Sequence, residues 1–240
     1  MALYSDSELS IRAPLDTAHQ QTLASFCAAG RYWSAKQRVA IVAAARDARC
    51  ETGLQDQPVQ NPNLGEIPAA AEALARQIAV STNNLDRSFY DRAITDGLRD
   101  AEYCEIVGVV ARAVNLDVFA RGIGVPPRKL AEPGDEPPSR MRPETLLDEG
   151  AWTQTIPGGR RGKQEAIDTY GTNAVEGAPF IYRALSLVPE EAQDLIALGT
   201  AQYVAIENFM DLNFTYDPSI NRTQVELLAS RVSAINECFY

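Results

Sequence analysis

Apolar residues recur at three- and four-residue intervals along most of this chain, and no stretch alternates apolar and polar positions as a half-buried strand would. The periodicity predicts helices over 17–29, 35–49, 67–80, 87–97, 101–114, 116–122, 190–213 and 222–236. The expected fold class is all-α. Several helix starts are written in capping residues. Ser34 with Gln37 forms a capping box, and Asn221 with Gln224 a looser one. Asp100 is placed to cap the helix that carries Tyr103, Ile106, Val107, Val110 and Val114. Pro189 suits the first helical position, and Glu190 and Glu191 follow it at the positive end of the helix dipole.

The pattern breaks over 126–162, where seven prolines (126, 127, 133, 137, 138, 143 and 157) and the Gly158–Gly159 pair fall. Such composition predicts a linker or irregular arm. It divides the chain into a unit over 1–125, a Pro-rich linker over 126–162 and a shorter unit over 163–240. The basic residues Arg160, Arg161 and Lys163 at its end are expected to be a solvated charge cluster. Tyr203, Phe209, Met210 and Phe214 are expected to be packing residues.

Composition narrows the chemistry. The 240 residues are 45% apolar and 22% charged, ordinary values for a globular chain. A net charge of −10 repels phosphate backbones and anionic lipid, so neither nucleic acid nor membrane is an expected partner. The N-terminus has neither a basic segment nor an apolar core of a signal peptide, so a cytoplasmic location is expected. Four cysteines (Cys27, Cys50, Cys104 and Cys238) are widely spaced, and one histidine, His19, stands alone. A disulfide framework and a His-rich metal centre are both disfavoured. Cys27 and Cys104 lie on apolar helical faces and read as core.

Segments 34–53 and 222–240 share a pattern: each is an amphipathic helix that ends in a cysteine, Cys50 or Cys238. In the second, Glu226, Arg231, Val232, Ser233, Asn236 and Cys238 occupy the pattern E-L-x-x-x-R-V-S-x-x-N-x-C. That stretch resembles the signature helix of the alkyl hydroperoxidase D and carboxymuconolactone decarboxylase superfamily. The segment 102–127, with its N-L-x-x-F-A-x-x-x-G-V-P ending, resembles the helices that follow the redox pair in that family. The resemblance covers about three quarters of the chain and implies two helical repeats, the second incomplete.

The resemblance implies a thiol- or selenol-dependent peroxidase that reduces alkyl hydroperoxides through a Cys-x-x-Cys or Cys-x-x-Sec pair. Cys238 would attack and Glu226 would act as base of a proton relay, with Ser233, Asn236 and Tyr240 in support. A peroxide or disulfide substrate, a thiol reductant and a homo-oligomer are the implied partners, and no metal, flavin or haem cofactor is expected. The first repeat departs from the pattern: Arg38 stands at the glutamate position, Gly53 at the second cysteine and Gln57 at the histidine. It reads as a structural repeat in which Cys50 alone remains. In the second repeat the partner of Cys238 would be residue 241, one position past Tyr240, and a selenocysteine codon there is one expectation. The 240-residue chain is therefore expected to turn over peroxide weakly or not at all.

The residues themselves add one geometric expectation. Asn236 is a good N-cap, so a new helix starting at Glu237 would put Cys238 in a first turn, where a thiolate is favoured. Glu226 lies twelve residues before Cys238, about 18 Å along a straight helix. Two alternatives stand beside the peroxidase: an acid–base decarboxylase or lactone-type enzyme of the same superfamily, and a non-catalytic helical oligomer.

Overall fold

The computed structural model describes residues 2–56, 59, 64–171 and 178–238, apart from the side chain of Ile206. Among these residues there is no strand; the one β-type contact is an isolated antiparallel bridge between Leu147 and Thr155. The all-α expectation holds at that level. The helices are α1 (Ala13–Phe26), α2 (Ala35–Glu51), α3 (Ala69–Val80), α4 (Arg87–Thr95), α5 (Asp100–Gly122), α6 (Lys163–Tyr170), α7 (Phe180–Arg183), α8 (Pro189–Gln202) and α9 (Arg222–Ile235). None is long and apolar enough to cross a membrane.

Capping chemistry fixes several of these starts. Gln37 N donates to Ser34 Oγ at 3.4 Å, and Ser34 N donates to Gln37 Oε1 at 3.1 Å, a reciprocal capping box at α2. Asn221 and Gln224 make the same exchange at α9 (3.0 and 2.8 Å). At α5 the cap differs from expectation. Arg99 is the N-cap residue, and Glu102 Oε2 accepts its backbone N–H at 2.9 Å. Asp100 is the first helical residue and pairs with Arg142 instead.

Further differences have identifiable causes. The segments 101–114 and 116–122 form one helix of 23 residues. Asn115 does not break it, because its Oδ1 is engaged by Gln202 Nε2 (2.6 Å) and does not compete for the helix backbone. Conversely, α8 stops at Gln202 and does not run to 213. Tyr203 leaves the helical region (φ −115, ψ −89), and the chain continues through a 3-10 turn at Ile206–Asn208. The turn formers Asn208, Asp211 and Asn213 dominate the stretch up to residue 213. Phe209 and Met210, expected to pack, are exposed, Met210 by 86%. Helices α6 and α7 lie in sequence with no strong period, which does not predict them.

The core centres on α2 and α5. Helix α2 packs against α1, α3 and α5, and α5 also meets α8. Val39, Ile41, Val42, Leu74, Ile106, Val109 and Val110 fill the space between them. Leu185, Leu187, Val188, Ala192 and Leu198 belong to the same apolar cluster, so α8 and its approach close one side of it. The Pro-rich segment lies along this body. Gly134 N donates to Cys27 O (2.9 Å), Arg140 N to Arg31 O (2.7 Å), and Leu130 is buried in the main core. The two cysteine-ended helices have opposite surroundings. Helix α2 is largely buried, whereas Arg222 is the one buried residue of α9.

The N-terminal arm is tied down by His19, which is fully buried. Gln202 Nε2 lies 2.8 Å from His19 Nε2 and donates to it, which leaves the imidazole proton on Nδ1, facing Tyr4 Oη at 2.6 Å. Phe119 packs edge-on against the ring. Burial lowers the His19 pKa from 6.5 to about 4, with nearby Asp16 opposing the shift. The neutral ring is therefore the native form, and the unfolded chain takes up the proton first as pH falls. The resulting stability is complete above pH 6.5 and is lost progressively toward about pH 4. Urea midpoints measured across that range should fall less steeply for His19→Gln than for the wild type; parallel profiles would refute this assignment.

Candidate functional site

The redox cysteine that the resemblance implies, Cys238, lies just past the end of α9. Cys238 is exposed, Cys27 and Cys50 are half-buried, and Cys104 is buried. Asn236 does not open a helix; it is the C-cap of α9. Glu237 adopts the left-handed region (φ 52), Glu237 N donates to Ala234 O (3.3 Å), and Cys238 N donates to Ser233 O (2.9 Å). These are the two bonds of a Schellman motif. Cys238 thus follows the carbonyl end of a helix, and the expected first-turn position for it is corrected. Ser233 and Asn236 are exposed, while Tyr240 lies outside the described residues, as does Gln57.

Glu226 is held elsewhere. Its Oε2 accepts the Tyr203 hydroxyl at 2.5 Å and its Oε1 accepts Arg222 Nε at 2.5 Å. These bonds, Tyr203 foremost, keep its carboxyl below the usual glutamate range. Arg222 is itself buried and donates to the carbonyls of Asn208, Phe209 and Asp211. Glu226 is therefore an anchor of α9 on the preceding loop, and a helix rising about 1.5 Å per residue does not bring it to Cys238 of the same chain.

In the segment 34–53, Gly53 follows the end of α2 in the left-handed region (φ 72), and Leu54 N closes on Arg49 O at 2.8 Å. A cysteine there would carry a Cβ into a conformation that glycine adopts without strain. Cys50 receives Gln55 Nε2 at 3.5 Å, and burial raises its thiol pKa, with Asp47 adding to the shift. Burial likewise raises Cys104, whose Sγ meets Leu185 O at 3.3 Å.

The densest charged chemistry lies at the junction of α2, α5 and α8. Arg38 Nη1 donates to Glu105 Oε1 (2.6 Å) and to Glu191 Oε1 (2.8 Å). Arg112 Nη2 donates to Glu191 Oε2, and its Nη1 reaches Asp194 Oδ2 (2.6 Å) and Ser25 Oγ (2.8 Å). Glu105 Oε2 also accepts Tyr32 N (2.8 Å). Arg38, Glu105, Arg112 and Glu191 are each at most 3% exposed. Two glycines make the approach possible. A Cβ on Gly108 would overlap the Glu191 carboxylate, and one on Gly30 would overlap Glu105 and Arg38.

Three carboxylates face two guanidiniums in this cluster. Burial pushes Glu191 up, but Arg112 and Arg38 together outweigh it and hold the group ionised. For Glu105 and Asp194 burial wins over the arginines, and both are raised. The cluster floors a cleft of about 480 Å³ lined by Ala28, Arg31, Pro137, Val188 and Glu190, with Asp194 part-exposed at its mouth. Of the carboxyls raised by burial, Asp194 is the one that solvent reaches. Sequence reasoning missed it, although Glu105, Gly108 and Arg112 at i, i+3 and i+7 interrupt one face of an otherwise apolar helix. Reading Arg38 only as a lost glutamate concealed its partners.

Removing one partner of a buried pair leaves the other charge uncompensated. Arg112→Met should cost about 3–5 kcal/mol of unfolding free energy in urea titrations. Adding Glu191→Leu should restore most of that loss. A double variant no more stable than Arg112→Met would rule out the pairing as the cause. No protein-family model, curated protein or solved structure matches this chain.

Proposed function

We propose that this chain is a thiol-dependent peroxidase of low turnover in which Cys238 is the attacking group. The observation that carries the reading is the coincidence of exposure and pattern. Cys238 is the exposed cysteine among the four, and it ends the helix bearing Glu226, Arg231, Val232, Ser233 and Asn236 in the order of the alkyl hydroperoxidase D signature. In the step, the Cys238 thiolate attacks the outer peroxide oxygen and the O–O bond breaks. The alcohol leaves with a proton, and the sulfur becomes a sulfenic acid. One molecule of an external thiol then displaces water, and a second releases a disulfide and restores Cys238. Peroxide plus two thiols thus gives alcohol, disulfide and water.

Glu226 is a positioning residue in this scheme, since its carboxylate is committed to Tyr203 and Arg222. Cys238 should be the first cysteine alkylated near neutral pH, read by mass spectrometry, and Cys104 the last. Cys238→Ser should abolish peroxide-dependent thiol oxidation. Glu226→Gln should lose less than the roughly hundredfold that a direct proton-transfer partner supplies. Turnover unchanged in Cys238→Ser sinks the reading.

A second reading rests on Asp194: an acid–base enzyme of decarboxylase or lactone type acting in the cleft above the ion cluster. The raised carboxyl of Asp194 at a cleft mouth favours it. Loss of activity in Asp194→Asn with Cys238→Ser unaffected would select this alternative.

Assembly into a homo-oligomer belongs to the same proposal. Leu227, Leu228, Val232 and Ile235 of α9 are 56–69% exposed, an apolar face of the sort that subunit contacts cover. Leu228→Glu should shift the sedimentation coefficient toward the monomer; a wild-type chain that already sediments as a monomer contradicts the assembly.

A further inference from the structure

A second cavity lies at the opposite end of α2 from the ion cluster, where the ends of α2 and α5 meet the start of the Pro-rich segment. It holds about 370 Å³. Its apolar wall is Leu54, Val125, Pro126 and Pro127. Its charged lining is Arg49 and Arg121 with the carboxylates of Asp56 and Asp117.

Arg49 is unusual among the buried arginines. It is 8% exposed, yet among the described residues it forms no salt bridge. Its Nη1 donates to Ala79 O at 3.0 Å and its Nη2 only distantly to Leu54 O at 3.4 Å, while Nε has no partner. A guanidinium carries five N–H donors, so most of its capacity is unused. Arg121 Nη1 donates to the same Leu54 carbonyl at 2.9 Å, and its remaining tie is a 3.5 Å contact with exposed Asp56. Two cations therefore converge on one neutral oxygen.

The nearest buried carboxylate, Asp117, favours the Arg49 charge through space but gives it no hydrogen bond. Asp117 also lines the cavity, but both of its oxygens are taken by Arg46 (2.8 and 2.8 Å). The carbonyl at the end of α3 offsets part of the Arg49 charge, because helix C-termini favour cations. It does not engage Nε, and burial, with a lesser contribution from Arg121, still works against the Arg49 charge. A buried cation without a paired carboxylate is destabilising, and an anion between Arg49 and Arg121 would remove that penalty.

We propose that this cavity binds a small monocarboxylate with a compact apolar body. The carboxylate would take charge-assisted hydrogen bonds from Arg49 and Arg121. The body would lie against Leu54, Val125 and the two prolines. Inorganic phosphate fits less well, since those apolar walls offer a doubly charged, strongly hydrated ion no partners. The site is independent of Cys238 and Asp194, and neither functional reading depends on it.

The test is benzoate, titrated into the full chain by calorimetry and by thermal unfolding. Benzamide supplies the neutral match and inorganic phosphate the apolar-free anion. Benzoate should raise the melting temperature with its concentration, as any ligand selective for the folded state does, and the other two should not. Arg121→Gln, a change at a half-exposed side chain that leaves the core alone, should weaken benzoate binding about tenfold or more. Arg49→Met should abolish the response and raise the melting temperature of the unliganded protein. No benzoate response in the wild type, an equal response to phosphate, or unaltered binding in Arg121→Gln would each overturn the proposal.

Discussion

The structure depends on a buried exchange of charge between three helices. Arg38 from α2, Glu105 and Arg112 from α5, and Glu191 from α8 meet with almost no exposure to solvent. Buried charges are tolerated when each is paired and hydrogen-bonded, and this requirement sets how closely α8 lies on α5. Gly108 leaves room for the Glu191 carboxylate, and Gly30 brings the α1–α2 loop down onto Glu105 and Arg38. An apolar interface would tolerate small shifts of α8; a network of directed bonds fixes one arrangement.

That network also explains why the core is continuous across the Pro-rich segment. Without α8, Arg112 would lose both of its carboxylates, Glu191 and Asp194, and Arg38 would keep only Glu105. With it, the apolar residues from Leu185 to Leu198 join those of α2, α3 and α5. The segment over 126–162 lies on the same body through backbone bonds to Cys27 and Arg31 and through the Lys36–Asp135 and Arg142–Asp100 pairs. Beyond α8 the character changes. Helix α9 is held by Arg222 and Glu226 at its first turns, and its outward face is apolar and exposed.

Chemical potential is divided among three places that do not touch the same residues. Cys238 offers an exposed thiol. Asp194 offers a carboxyl raised by burial at a cleft mouth. Arg49 and Arg121 offer cationic donors with too few acceptors. Each stems from a different imbalance: exposure of a sulfur, an excess of carboxylates, and an excess of guanidiniums.

The longer helices, α6 and α7 excepted, and several of their starts were legible in the sequence, because an amphipathic period and a capping box are local properties. Ser34 with Gln37 and Asn221 with Gln224 determine their boxes through neighbours three residues away. The lengths of α5 and α8 were not legible, since Asn115 is occupied by Gln202, a residue 87 positions away. The candidate sites were legible as residue types and not as constellations. Nothing local marks Arg38 as the partner of Glu191, 153 positions later, or Arg49 as a cation left without a carboxylate. Periodicity states which face of a helix turns inward. Only the packed arrangement decides which charges that face meets, because a pairing energy depends on distance in space and not on distance along the chain.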